Sequence, residues 1–379
     1  MDITYLDNAA TTRVCDEAAQ SALRVMTEVY GNPSSTHTLG REARAVLEGA
    51  RKNIAAALGC QSTEVTFTSG GSESNNWAIR MGADAMRRQG NHIITSTVEH
   101  DSVRKVCDAL EAQGWQITRL NPQRDGSISE ESVLQALRKD TVLISLMMVN
   151  NETGSVTDIA AISKALKKAG SKAILHTDAV QGFMKIPFSA KTLGADMISV
   201  SGHKIHAPKG IGALYIRSGL RVQPMICGGA QEAGRRAGTE GLPQIAAFGE
   251  AAAIAKAQLP NSLLHMEQLR DMAAQRLQNE NEGLLVIGGG APHILSISLP
   301  GYKSEVIMNF LEAKGIFVSK SSACKKGARS HVLEAIGLPN PVIDGAVRIS
   351  LCRYSTEADI DRLCSGIKEA REKLFTVLK

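Results

Sequence analysis

Three short segments carry residue types that can act together on one ligand. In His176-Thr177-Asp178-Ala179-Val180-Gln181 an apolar run ends in an aspartate. α/β proteins keep ligands at the carboxyl ends of their strands, and a buried carboxylate there needs a cationic partner. Asp178 is therefore either a helix cap or a carboxylate facing a protonated ring nitrogen. In Ser201-Gly202-His203-Lys204 a lysine follows the next apolar run, Met197–Val200. Such a lysine is either solvated or, once a low-dielectric site depresses its pKa, able to condense with an aldehyde. Thr68-Ser69-Gly70-Gly71-Ser72-Glu73-Ser74-Asn75 joins a strand to a helix. Its glycines permit a tight turn, and the free N–H groups with the Ser72 hydroxyl make either a plain turn or an anion site. It is neither a Walker A loop nor G-x-G-x-x-G. Ser201 and His203 can add hydrogen bonds to a phosphate. The combination is far more specific than any one segment.

A fourth segment, Ser319-Lys320-Ser321-Ser322-Ala323-Cys324-Lys325-Lys326-Gly327-Ala328-Arg329, is small, polar and basic. Lys325, Lys326 and Arg329 favour a thiolate at Cys324, the nucleophilic form; the alternative is an incidental exposed cysteine. The other six cysteines (15, 60, 107, 227, 352 and 364) lack such a setting, and most sit in apolar, periodic surroundings. An odd total of seven without C-x-x-C spacing argues against a disulfide framework and a zinc site. No metal is expected, and a reducing cytoplasm is the expected home.

These segments need a scaffold that brings strand ends together. Strand candidates are Glu64–Thr68, His92–Ser96, Gln116–Leu120, Val142–Val149, Ala173–His176, Met197–Val200 and Gly212–Ile216. Several are nearly continuous apolar runs, as strands buried on both faces require. Leu39, Ala43, Val46, Ala50, Ile54 and Ala57 recur at spacings of three and four, one buried helix face. The alternation predicts an α/β fold with a sheet flanked by helices. After about Ala255 the texture changes: helix over Ser262–Asn279, then His293–Ser298, helix Ser304–Ala313, Ile316–Ser319, Val347–Leu351 and a last helix from Glu357. That pattern reads as a smaller α+β domain.

The chain has 379 residues, 43% of them hydrophobic, with a net charge of +5. Its length suggests two domains and a core that needs no staples. No apolar run approaches a membrane span. Met1-Asp2-Ile3-Thr4 has no basic or apolar signal region, so no secretory signal is expected. Basic residues do not cluster with aromatics, which argues against direct nucleic-acid binding.

The segments above, with Tyr5-Leu6-Asp7-Asn8-Ala9-Ala10-Thr11-Thr12, Gly31-Asn32-Pro33-Ser34-Ser35, Thr97-Val98-Glu99-His100, Val149-Asn150-Asn151-Glu152-Thr153-Gly154, Arg236-Ala237-Gly238-Thr239 and Arg348-Ile349-Ser350-Leu351, occur in an order that spans the chain. In these the chain resembles class V aminotransferase-fold proteins and, within them, NifS/IscS-type cysteine desulfurases. The resemblance implies a pyridoxal 5'-phosphate (PLP) dependent transferase of fold type I, with a mainly parallel sheet flanked by helices and a smaller α+β domain. It implies a large PLP domain over residues 12–255 and a small domain from residues 1–11 and 256–379 that carries the Cys324 loop.

The resemblance also implies roles. Lys204 would hold the cofactor covalently and move the substrate α-proton. Asp178 would pair with the ring nitrogen and His100 would stack on the ring. Asn151 and Gln181 would hydrogen-bond ring substituents, and Asn151 would also serve the substrate. Gly71, Ser72, Ser201 and His203 would hold the phosphate, with Thr239 acting from the partner subunit of a homodimer. Arg348 would bind the substrate carboxylate; read alone, it is equally a strand-surface arginine. Cys324 would take sulfur from L-cysteine as a persulfide, release L-alanine, and pass the sulfur to an iron–sulfur scaffold or a thiolation protein. Selenocysteine lyase, another class V transaminase and a non-catalytic scaffold are the competing readings; a transaminase has no need of Cys324, and a scaffold none of Lys204, Asp178, His100 and Arg348 together. The chain departs from the family pattern at Ser321, where glycine is expected, and at Met148, where some relatives carry histidine. The segment after Cys324 is roughly two residues shorter than in long-loop members, which shortens its reach.

Overall fold

In the computed structural model, which describes residues 3–320 and 329–376, the apolar runs pair into a seven-stranded sheet. Its order is Val65–Thr68, Gly212–Ile216, Met197–Ser201, Ile174–Asp178, Thr141–Met147, His92–Ser96 and Gln116–Leu120. Gly212–Ile216 runs against both neighbours, and the other strands share one direction. Consecutive residues of one strand enter different cores, because side chains alternate across a strand. Ile93, Leu143, Ile174 and Met197 pack with Trp77, Val103 and Leu110 on one face. Ile94, Ile144, Leu175 and Ile198 pack with Ile54, Phe183 and Phe248 on the other. Burial on both faces is why these runs are apolar throughout. The strand expected to end at His176 continues to Asp178, so the aspartate closes the strand itself.

The predicted helix face from Leu39 to Ala57 lies on Thr38–Leu58, and the helix Leu242–Glu280 packs against it. A Cβ at Gly249 would stand 2.6 Å from Ala50 Cα. The two backbones approach this closely because residue 249 has no side chain. The sequence pattern predicts helix only over Ser262–Asn279, but the helix runs from Leu242 with Pro260 inside it. Proline removes one helical hydrogen bond and crowds the preceding turn. Packing compensates: Ile245, Phe248 and Ala252 are buried in the core of the main sheet, and Met266, Leu269 and Leu277 in a second core. The expected domain boundary at 255/256 falls inside this helix.

The second core lies under an antiparallel sheet ordered Ser319–Lys320, Ala346–Ser350, Ile294–Ser298 and Leu285–Ile287. Ser304–Glu312 and Glu357–Lys373 contribute its helical side. The expected strand Ile316–Ser319 divides: Ile316–Phe317 pairs with Thr4–Tyr5 instead. From there the N-terminal segment crosses to the main sheet, where Thr12 N donates to His203 O at 2.9 Å. Among the described residues no helix is long and apolar enough to cross a membrane.

Candidate active site

The carboxyl ends of the parallel strands open onto a cavity of about 320 Å³. Asp178 ends one strand, and the neighbouring strand Met197–Ser201 leads into the turn that carries Lys204. Asn75 Nδ2 donates to Asp178 Oδ2 (2.7 Å), and Val180 N donates to Oδ1 (3.0 Å). Both donors are neutral, so this buried carboxylate has no cation hydrogen-bonded to it among the described residues. That is the condition a protonated ring nitrogen answers.

Lys204 Nζ donates to the carbonyls of Ala9 (2.5 Å) and Ala10 (2.7 Å). Burial pulls its pKa from 10.5 to about 7, and the charges of Arg348 and Lys185 pull the same way. A neutral amine is therefore abundant just above pH 7, as condensation with an aldehyde requires. His203, next to it, is pushed down to about 4 by burial and by Lys204 and Lys209.

Opposite lies the first turn of the helix Gly71–Ala85, whose free N–H groups meet the cavity at Gly71 and Ser72. A Cβ on Gly71 would stand 2.7 Å from Val180 Cγ2, so glycine lets the helix start sit over the Asp178 strand end. Ser201 and His203 line the same cavity. A helix N-terminus with hydroxyl and imidazole neighbours, an unpaired buried carboxylate and a depressed lysine fit a phosphorylated pyridine aldehyde, which is PLP.

His100 precedes the helix Asp101–Glu111 and is exposed to the cavity. Ser102 N donates to its Nδ1 (3.1 Å), and Ser102 Oγ stands 2.8 Å away. Asn75 Nδ2 donates to that same Oγ (2.9 Å). Donors aimed at Nδ1 leave the ring proton on Nε2. Beneath His100, burial pushes Glu99 up to about 8, and Asp178 adds to the rise. Gln181 Nε2 donates to Ala9 O (2.8 Å), so it shares an acceptor with Lys204.

Arg348 lies on Ala346–Ser350 and is only 2% exposed, so it is no surface arginine. Its Nη1 donates to Asn151 O (2.8 Å) and its Nη2 to Asp7 Oδ1 (2.8 Å), while its buried Nε has no partner among the described residues. A substrate carboxylate at this fork meets Asp7 as a competitor.

The cavity thus gathers Gly71, Ser72, His100, Asn151, Asp178 and Gln181 with Ser201, His203, Lys204 and Arg348. Thr239 is not among its lining; it borders a separate cleft with Arg236 and Gln244. Met148 is packed in the core rather than in the cavity. Cys324 and Ser321 lie outside the described residues. Arg329, expected to favour the thiolate, is held by Asp344 through bonds of 2.7 and 3.0 Å. Burial pushes the thiols of Cys60 and Cys107 up to about 12. Among the described residues no group of His, Cys, Asp and Glu is arranged to hold a metal ion.

Sequence reasoning missed Asn75, Ser102, Asp7 and the carbonyls of Ala9 and Ala10. Asn75 had a signal: it stands four residues after Gly71 and shares its helix face. The carbonyls had none, because any residue supplies one.

The chain matches the aminotransferase class-V family over residues 4–363. It is 42% identical to a cysteine desulfurase of Trichormus azollae, covering 99% of this chain and 94% of that protein. It is 41% identical to a cysteine desulfurase IscS of Methanosarcina thermophila, covering 98% and 92%. Among solved structures it resembles a NifS-like protein with a TM-score of 0.93 and 36% identity, covering 99% and 100%.

Proposed function

The chain belongs to the aminotransferase class-V family; it is a PLP-dependent cysteine desulfurase, and we propose that Lys204 and Cys324 divide its chemistry. The observation that supports the role of Lys204 is the pairing, in one cavity, of a buried carboxylate that no cation bonds among the described residues with a lysine whose amine is depressed to about 7. When bound, PLP draws electrons from the substrate Cα toward its ring. Asp178 would hold the ring nitrogen, His100 would face the ring, and Gly71, Ser72, Ser201 and His203 would hold the phosphate. Asn151 and Gln181 would position ring substituents. Arg348 orients the L-cysteine carboxylate, and Lys204 Nζ takes the α-proton and returns it where alanine forms. The Cys324 thiolate attacks the substrate sulfur; an S–S bond forms and the Cβ–S bond breaks with its electron pair left on the carbon side, Cβ takes up the proton given up by the substrate thiol, and L-alanine leaves.

Cys324 then passes its outer sulfur to an acceptor protein, an iron–sulfur scaffold or a thiolation protein. A reducing cytoplasm suits that transfer. The active unit is a homodimer in which Thr239 reaches the partner's phosphate site, which accords with its absence from its own cavity. The test is alanine release from L-cysteine by PLP-loaded protein, with and without a reducing thiol. Thiol-dependent turnover that disappears in Cys324→Ser is the expected result. Alanine formed by Cys324→Ser at the wild-type rate without added thiol would overturn the role of Cys324.

A further inference from the structure

We propose that a second, small cavity between Lys185 and Arg353 binds a single monovalent anion of halide size. The inference rests on charge and volume and does not depend on the desulfurase reading. Lys185 lies in the turns that follow Asp178 and is only 4% exposed. Among the described residues its Nζ has no hydrogen-bond partner, and neither does the buried Nε of Arg353. Both residues line a cavity of about 20 Å³ with Met184, Ile205, His206 and Met266. That volume takes one water-sized guest. A halide matches that size more closely than sulfate or phosphate does.

The groups facing Lys185 supply no negative charge. The charged or titratable groups that interact with it are Cys352, Arg353, Lys204, His206 and His293, none of them a carboxylate. Cys352 Sγ already accepts from Ser355 Oγ (3.9 Å) and makes no bond to Lys185. His206 donates from Nδ1 to Arg13 O (2.9 Å), and burial with Lys185 and Arg353 holds its ring far below its ordinary pKa, at about 3. The imidazole is neutral. Tyr354 Oη takes Arg353 Nη2 at 3.1 Å and leaves Nε free.

Burial lowers Lys185 only to about 8, so near neutral pH it still carries its proton. The buried Lys185 ammonium and the buried Nε of the half-exposed Arg353 thus share a small cavity that no carboxylate lines, where the Ser262 hydroxyl and the His206 ring are the neutral neighbours; a buried ammonium is costly unless an anionic partner is present. Water would satisfy a donor but leave the charge; a halide satisfies both. His206, which lines the cavity, sits at φ 71°, which L residues rarely adopt, and its N–H donates to Thr12 Oγ1 (2.8 Å). Occupation also has a consequence for the active site, because the charge of Lys185 is among those that depress Lys204. A bound halide offsets that charge.

The test uses the PLP-loaded protein at constant ionic strength and pH 7, with chloride, bromide, gluconate or sulfate as the anion. Millimolar chloride and bromide should raise the unfolding temperature by about 2–4 °C over gluconate and sulfate. Lys185→Met should lose the difference, with Arg353→Gln as the second variant should the first fail to fold. Crystals grown with bromide should show anomalous density within hydrogen-bond reach of Lys185 Nζ. Equal unfolding temperatures in all four salts would overturn the proposal. So would bromine density that appears only at crystal concentration, an adventitious ion only, or a water in the cavity.

Discussion

Two lysines, Lys185 buried and Lys204 half-buried, have opposite surroundings. Lys204 holds two carbonyl oxygens and faces a cavity of about 320 Å³; Lys185 has no acceptor among the described residues and faces one of about 20 Å³. Burial depresses both, to about 7 and about 8. Desolvation alone therefore does not make a lysine a reactive group. Access for an aldehyde and partners that aim the amine distinguish Lys204, and the strand ends supply both.

The contrast is broken most severely by Lys204→Ala. This change should lower alanine formation by about 10³-fold or more and let PLP wash out on dialysis. Lys185→Met should retain PLP through the same dialysis. Absorbance of the dialysed proteins separates the two. Arg348→Lys should raise KM for L-cysteine by about 10–100-fold with a smaller effect on kcat, since a lysine cannot reproduce the fork between Asn151 O and Asp7. Steady-state kinetics would show the split. Asn75→Ala removes the donor to Asp178 Oδ2 and to Ser102 Oγ together. A loss of about tenfold in PLP affinity is expected, measured by equilibrium titration of the stripped protein.

The smallest effect sharpens the comparison most. Lys204 reacts as the neutral amine, whose fraction rises with pH through the pKa. PLP uptake by the stripped protein should therefore accelerate with a midpoint near pH 7 and level off above it. Lys185 is a positive neighbour that lowers this midpoint. Lys185→Met in halide-free buffer should raise it by about one unit or less. An unchanged midpoint would separate the two lysines electrostatically.

Much of the scaffold was legible because a doubly buried parallel sheet leaves runs of apolar residues that end abruptly. His92–Ser96 carries the expected bounds, as do the edge strand Gln116–Leu120, which is largely unburied, and the antiparallel Gly212–Ile216. Asp178 and Lys204 stood out because polar groups closed such runs. The 39-residue helix did not, because Pro260 reads as a stop and only packing against two cores overrides it. Lys204's carbonyl partners come from Ala9 and Ala10, some 195 residues away along the chain, and carry no side-chain signal. The Asp7–Arg348 pair has the same difficulty: neither residue predicts a partner at the other end of the chain.

The most direct test of the account is the mass of the Cys324 peptide after brief exposure of the PLP-loaded protein to L-cysteine without reductant. The account predicts one additional sulfur atom on Cys324 in the wild type and none in Lys204→Ala. Sulfur gained instead on Cys227 or another thiol, or gained on Cys324 without Lys204, would contradict it.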